Sequence, residues 1–220
     1  MPTHGPTDVR DLPLYGQREA ASLVRVAPST LRRWIGPSGD GPLIRVADPE
    51  QRRLSFNNLI EAHVLRSLQV YHDVPLRAVR KAIDYAEREL ETDRLLLRRE
   101  LRWSGDLFLD QLSDLVNLTR SGQFAIRQVM ESYLNRIEWD EQANLPARLF
   151  PRVPEISDDT RSVVIDPRLG FGQPTVTGTG VGTSVIARRI DAGESFDDVA
   201  KDYGIDRQRV EDAVVYHAAG

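Results

Sequence analysis

"GQPTVTGTGVGTS", residues 172–184, decides how the last third of the chain folds. Gly178, Gly180 and Gly182 alternate with small residues; a β-prone run, Thr175–Thr177, precedes them and "SVIARRIDAG" follows with helical character. Strand, glycine turn, helix is the order of a phosphate-cradling loop. A dinucleotide site also needs a second parallel strand with an acidic residue for the ribose. After residue 184 the pattern predicts helices only. A P-loop needs Lys before its Ser/Thr, and Gly182 stands before Thr183–Ser184. The stretch therefore reads as a tight reversal: glycines supply positive φ, and Thr183 or Ser184 caps the following helix.

Three helices are expected beyond the reversal, Ser184–Asp191, Ser195–Asp202 and Asp206–His217, with breaks at Gly193 and Gly204. Ser195 followed by Asp198 is a capping signature. Val199, Ala200, Ile205, Val210 and Val214 form a shared core. The last two helices have helix-turn-helix spacing, which makes Arg207, Gln208 and Arg209 secondary DNA-binding candidates. Asp206, Glu211 and Asp212 flank them and oppose a phosphate backbone.

A second helix-turn-helix is expected near the N-terminus. "QREAASLVRV" is amphipathic, and "APSTLRRWIG" opens a short helix at Pro28 or Ser29. Leu31, Trp34 and Ile35 face inward at i, i+3, i+4, which leaves Arg32 and Arg33 outside. "LIRVADPEQRRLSF" predicts a wing of two strands, Leu43–Val46 and Arg53–Phe56. A helix follows, with Leu59, Ile60, Val64, Leu65, Leu68 and Val70–Tyr71 apolar and Asn57 or Asn58 as cap. Another is expected after Pro75. Here Ser29, Thr30, Arg32 and Arg33 are the DNA readers, because Arg forks match guanine while Ser and Thr hold phosphates. Arg52 and Arg53 on the wing hold the backbone.

The middle is mixed. "RWSGDLFLD" predicts a hairpin about Ser104–Asp106, "LVNLT" a short β-prone run, and "GQFAIRQVMESYLNRI" a helix ending near Ile137. Leu145–Phe150 predicts a strand. The division expected is a loose leader (1–13), a winged domain (14–91), a mixed middle (92–150), a linker (151–161) and a C-terminal unit (162–220). The fold class is mainly α with small β hairpins.

The chain has 220 residues, 40% of them hydrophobic and 28% charged, enough to build soluble cores. With no cysteine there are no disulfides or thiolate sites, which fits a cytoplasmic protein. No membrane span or secretion signal is expected. The net charge is −4, but residues 18–81 carry 11 Lys and Arg against 6 Asp and Glu, +5, and residues 184–220 carry 5 against 8, −3. The basic excess lies where a nucleic-acid footprint is needed. His63 and His72 lack metal-ligand spacing, and the pairs Asp158–Asp159 and Asp197–Asp198 suit a linker and a helix start. No metal, cofactor or catalysis is expected.

Two resemblances follow. On "YGQREAASLVRVAPSTLRRW", "LIRVADPEQRRLSF" and "NNLIEAHVLRSL", residues 15–85 resemble the winged helix of the MerR group. On "GQPTVTGTGVGT", "AGESFDDVAKDYGI" and "VEDAVVYH", residues 162–218 resemble a small antitoxin domain of the "GxPxxxGTRIPV" type, with Gly180 for its Arg and Gly182 for its Pro. In this order the two resemble VapB-type antitoxins. That implies a homodimer that binds operator DNA and neutralises a PIN-like ribonuclease toxin. Leu145, Leu149, Phe150 and Val153, apolar residues in an irregular region, are the toxin-contact candidates. The alternative is a stand-alone MerR-like regulator with a ligand-binding middle region.

Overall fold

A computed structural model describes residues 8–37, 41–68, 74–117, 119–153, 156 and 160–218. The fold is mainly helical with two small antiparallel β pairs, the fold class expected. Helices α1 (Gln17–Leu23) and α2 (Pro28–Ile35) form the first helix-turn-helix. α3 (Phe56–Ser67) runs through the centre and is buried almost all round. α4 (Leu76–Glu89) follows. Then α5 (Leu101–Val116) and α6 (Arg120–Leu134) pack together, and α6 lies on α3. β1 (Ile137–Asp140) pairs with β2 (Leu145–Leu149), and β3 (Val163–Val164) with β4 (Thr175–Val176). The chain closes with α7 (Thr183–Asp191), α8 (Phe196–Tyr203) and α9 (Arg207–Ala218). One apolar core runs from Tyr15 to Ile165, shared by residues 14–91 and 92–150 and joined by Ile165 of the C-terminal unit. A smaller one, built on Val176, Ile186, Val199 and Val210, lies in the C-terminal unit.

Several sequence expectations are corrected. Among the described residues the wing contains no strand; it is a loop closed by the bridge Asp48↔Arg53, and Leu54 pairs with Tyr15. Its first arm is held by a side chain: Asn58 donates Nδ2–H to Arg45 O at 2.8 Å and accepts from Ala47 N at 3.1 Å. Its second arm ends early because Ser55, not Asn57 or Asn58, caps α3, leaving Phe56 as the first helical residue. Val70 and Tyr71 lie outside the described residues. The hairpin expected at 103–109 is part of α5, in which Leu101, Phe108, Leu109 and Leu112 are buried. "LVNLT" is no strand: Leu115–Val116 end α5, Asn117 is its left-handed cap and Thr119 caps α6. Leu118 lies outside the described residues. Ile137 begins β1 instead of ending a helix.

Within residues 8–13, the end of the expected loose leader, Val9–Asp11 form a short 3-10 turn with Arg10 buried against Asp8. The described ends of the expected linker are pinned. The buried Arg136 donates to Phe150 O, Pro151 O and Thr160 O.

His63, in the middle of α3, is 1% exposed and lies 3.0 Å from Tyr133 O through Nε2, with the two rings 4.9 Å apart. Burial pushes its pKa down to about 3, although the Tyr133 carbonyl favours the protonated form; Arg66, Arg136 and Arg152 push it further down. The unfolded chain therefore takes up a proton between pH 6.5 and about 3 that the folded chain refuses. Stability held above pH 6.5 should fall as the pH drops through this window, by up to about 1.4 kcal/mol per pH unit. Buried Glu61 works in the opposite sense, since desolvation raises its pKa. The check is urea unfolding at several pH values: His63→Gln should lose part of the acid slope, and an unchanged slope would reject the assignment.

Candidate nucleic-acid interface

The first helix-turn-helix is built from local signals. Gly16 precedes α1, and Glu19 reaches back to accept from the Gly16 N–H at 3.2 Å. The turn bends at Arg25, which is left-handed with φ 56°. Ala27 then serves as N-cap and Pro28 takes the first helical position, where its missing N–H costs nothing. Leu31 and Trp34 are buried, so the indole is core. Ser29, Arg32 and Arg33 are exposed, and their i, i+3, i+4 spacing puts them on one helix face. α2 contains no Asp or Glu. Among the described residues Arg32 and Arg33 make no ion pair.

Two of the DNA-contact candidates are placed otherwise. Thr30 is 7% exposed and packs inward with Leu31. Arg53 donates Nε–H to Pro13 O at 2.9 Å and Nη2–H to Leu14 O at 2.8 Å, so it ties the wing loop to the chain entering α1. Arg52 is exposed at the end of that loop, with φ 52°.

The second helix-turn-helix is also present: Ser195 caps α8, Gly204 turns with φ 63°, and α9 follows. Its candidate readers are already occupied. Arg207 meets Glu211 at 2.7 Å and Asp197 at 2.9 Å. Gln208 donates to Asp212 at 3.0 Å, and Arg209 to Thr177 O at 3.2 Å. The two units thus differ in available positive charge as well as in net charge.

The glycine stretch is a reversal, as expected, with φ 82° at Gly178 and 71° at Gly180. The helix cap differs: Gly182 is the N-cap of α7 and makes no side-chain bond, while Thr183 is buried in the first turn. The same stretch docks on the N-terminal unit. Tyr15 donates its hydroxyl to Gly172 O at 2.8 Å, and Gln173 donates to Glu19 at 2.7 Å. Arg25 donates to Tyr216 O and its guanidinium lies 4.5 Å above the Tyr216 ring.

The toxin-contact candidates lie within the fold. Leu149, Phe150 and Val153 are buried at 0%, 4% and 4% exposure, and Leu145 is half-buried against the core. Arg161 lies over the Phe150 ring at 4.8 Å. The large apolar residues exposed among the described ones are Phe171 at 88%, Phe124, Leu169 and Leu115. Phe171 escapes a reading of the sequence because it sits in a Gly-Phe-Gly run with the character of a turn.

No helix among the described residues is long and apolar enough to cross a membrane. Residues 163–217 match a family model described as a protein of unknown function, DUF433. A crystal structure of Rv2018 from Mycobacterium tuberculosis superposes with a TM-score of 0.74 at 27% identity, covering 92% of this chain and 97% of that one. The uncharacterized protein Rv2308 of the same organism is 25% identical over 96% of this chain and 92% of its own. A further protein of that organism, named "Putative antitoxin VapB45", is 31% identical over 93% of both chains. Such identity over nearly the full length of both is a family likeness, and this chain belongs to the family of VapB45.

Proposed function

We propose that the chain is the antitoxin of a type II toxin–antitoxin pair: it binds and neutralises a PIN-like ribonuclease toxin and represses its own operon. The observation that carries this is the full-length likeness to VapB45. DNA binding is assigned to the N-terminal unit, with Ser29, Arg32 and Arg33 on the face of α2 and Arg52 on the wing loop touching the duplex. The protein acts in the cytoplasm, without catalysis or cofactor. The test is coexpression with the product of the adjacent gene. A stable complex in which added antitoxin abolishes ribonuclease activity is the expected result. Absence of both complex and inhibition would reject the reading.

A homodimer is expected as well. One helix-turn-helix reads one half-site, and a second must lie about one helical turn away on the duplex. Light scattering at tens of micromolar should give twice the mass of the chain. A monomer both with and without operator DNA would exclude it.

The cavity of about 460 Å³ between the wing loop, α3 and α4 favours a second reading. Arg45, Arg80 and Arg94 line it together with Glu61, Asp84, Glu87 and Asp93, so a small zwitterion would suit a stand-alone ligand-responsive regulator. A chain with no toxin gene beside its own, and DNA affinity that changes with such a ligand, would favour this second reading.

A further inference from the structure

A second cavity, of about 190 Å³, lies where the turn of the first helix-turn-helix meets the C-terminal unit. Its walls include Ser22 and Arg25 on one side, and Thr183, Ser184, Tyr216 and His217 on the other. None of its lining residues is Asp or Glu, in a chain with 33 acidic residues. We propose that this cavity binds a small inorganic oxyanion of the phosphate or sulfate type. The proposal does not depend on the assignment of toxin or operator.

Three independent features converge on it. The first is the N-terminus of α7, a nine-residue helix whose N-cap is Gly182, without any side-chain cap. Thr183 N–H is taken by Pro174 O and Val185 N–H by Gly182 O, both at 3.0 Å, so the Ser184 N–H and the helix dipole are what favour an anion here, and the hydroxyls of Thr183 and Ser184 stand in the same turn. The second is Arg25. Only Nη2 is engaged by a hydrogen bond, to Tyr216 O; Nε and Nη1 are buried without a partner, and no carboxylate neutralises the guanidinium among the described residues. The third is Tyr216, which is 4% exposed with its hydroxyl unpartnered. Burial pushes the phenol up, so it remains a donor at any working pH. Buried polar atoms in native proteins nearly always have partners, and two residues that carry unpartnered buried donors, Arg25 and Tyr216, are both in the wall of this one acid-free cavity.

Size selects the ligand. A water's share of liquid volume is about 30 Å³, so 190 Å³ has room for about six waters. That suits one tetrahedral oxyanion and is smaller than the roughly 300 Å³ at which pockets for larger ligands begin. The glycine stretch thus leads to a helix start that can hold an isolated anion and not a nucleotide.

The experiment is thermal unfolding and calorimetric titration of the full chain with inorganic phosphate at constant ionic strength set by chloride. Phosphate and sulfate also stabilise proteins non-specifically by exclusion from the surface. That effect does not saturate and persists in variants, whereas a site gives a rise in Tm that follows ligand occupancy. Saturable binding is expected, weakened at least tenfold in Arg25→Gln. Ser184→Asp places a carboxylate at the start of α7, so it should raise the phosphate-free Tm and abolish the calorimetric signal. This variant carries the test even if Arg25→Gln fails to fold, because an acidic residue in the first turn favours the helix. Phosphate binding that does not saturate, or that is the same in Ser184→Asp as in the native chain, overturns the proposal.

Discussion

Gly172→Ala should lower the stability of the fold by about 2–5 kcal/mol, the sum of a backbone and a packing cost. Gly172 has φ +74°, a conformation that costs an L residue about 1–2 kcal/mol. A Cβ there would stand 2.2 Å from Tyr15 Oη, 3.1 Å from its Cζ and 3.3 Å from Leu14 Cδ1. The ring cannot swing aside easily. Tyr15 is fully buried, its backbone exchanges hydrogen bonds with Leu54 in both directions at 2.9 and 2.8 Å, and its hydroxyl is anchored on Gly172 O itself. Overpacking of this kind costs about 1–3 kcal/mol on its own. Gly178→Ala is the control: it has φ +82° but nothing within 4 Å of its Cβ, so only the backbone cost of about 1–2 kcal/mol applies. Urea unfolding of the two variants gives the comparison. Equal losses of stability would mean that the packing against Tyr15 does not hold the C-terminal unit on the first helix-turn-helix.

The parts of the fold that were legible in the sequence are those set by near neighbours. Ser195 with Asp198, Gly204 and the apolar spacing of Val199 and Val210 suffice for α8, the turn and α9. Likewise Pro28 and the Leu31–Trp34 spacing define α2. The hairpin expected at Ser104–Asp106 does not form because turn propensity is a weak local preference. Against it stands the burial of Leu101, Phe108, Leu109 and Leu112 along a helix. Gly105 does not turn the chain there: it lies against α6, where an added Cβ would stand 3.1 Å from Met130 Cε. β1 could not be seen because its definition is non-local. Ile137 pairs with Leu149, twelve positions on, and Leu149 itself bridges to Ile165.

The candidate site divides in the same way. The exposure of Arg32 and Arg33 follows from the period of one short helix. The burial of Leu149, Phe150 and Val153 does not, since it is created by partners from β3 onward and by Arg136 and Arg161. Polar surroundings in sequence give these residues the look of surface. The exposure of Phe171 is equally hidden. Its neighbour Gly172 is bonded to Tyr15, 157 positions away, and that hydrogen bond fixes the loop on which Phe171 stands. No periodicity carries such information.

Replacing both Arg32 and Arg33 by Ala should weaken operator binding by about 1–3 kcal/mol for each arginine that reads a base edge, and the Arg207→Ala, Arg209→Ala pair should do much less. Affinity for a duplex comes largely from cations that neutralise phosphates, each adding roughly one unit to the salt slope. Both arginines of α2 are exposed and, among the described residues, free of ion pairs. Arg207 is held by Asp197 and Glu211, so an approach to DNA would first have to break two ion pairs at 2.9 and 2.7 Å. Arg209 is engaged by a carbonyl of the glycine reversal. The surrounding charge acts in the same direction, +5 over residues 18–81 against −3 over residues 184–220. The measurement is an anisotropy titration of both double variants on the upstream DNA at several salt concentrations. Thermal unfolding accompanies it, because neither Arg32 nor Arg33 packs in the core and their replacement should leave Tm nearly unchanged. The N-terminal pair should also flatten the salt slope by about two units. A greater drop in affinity from the C-terminal pair, with both proteins folded, would move the reading head to α9.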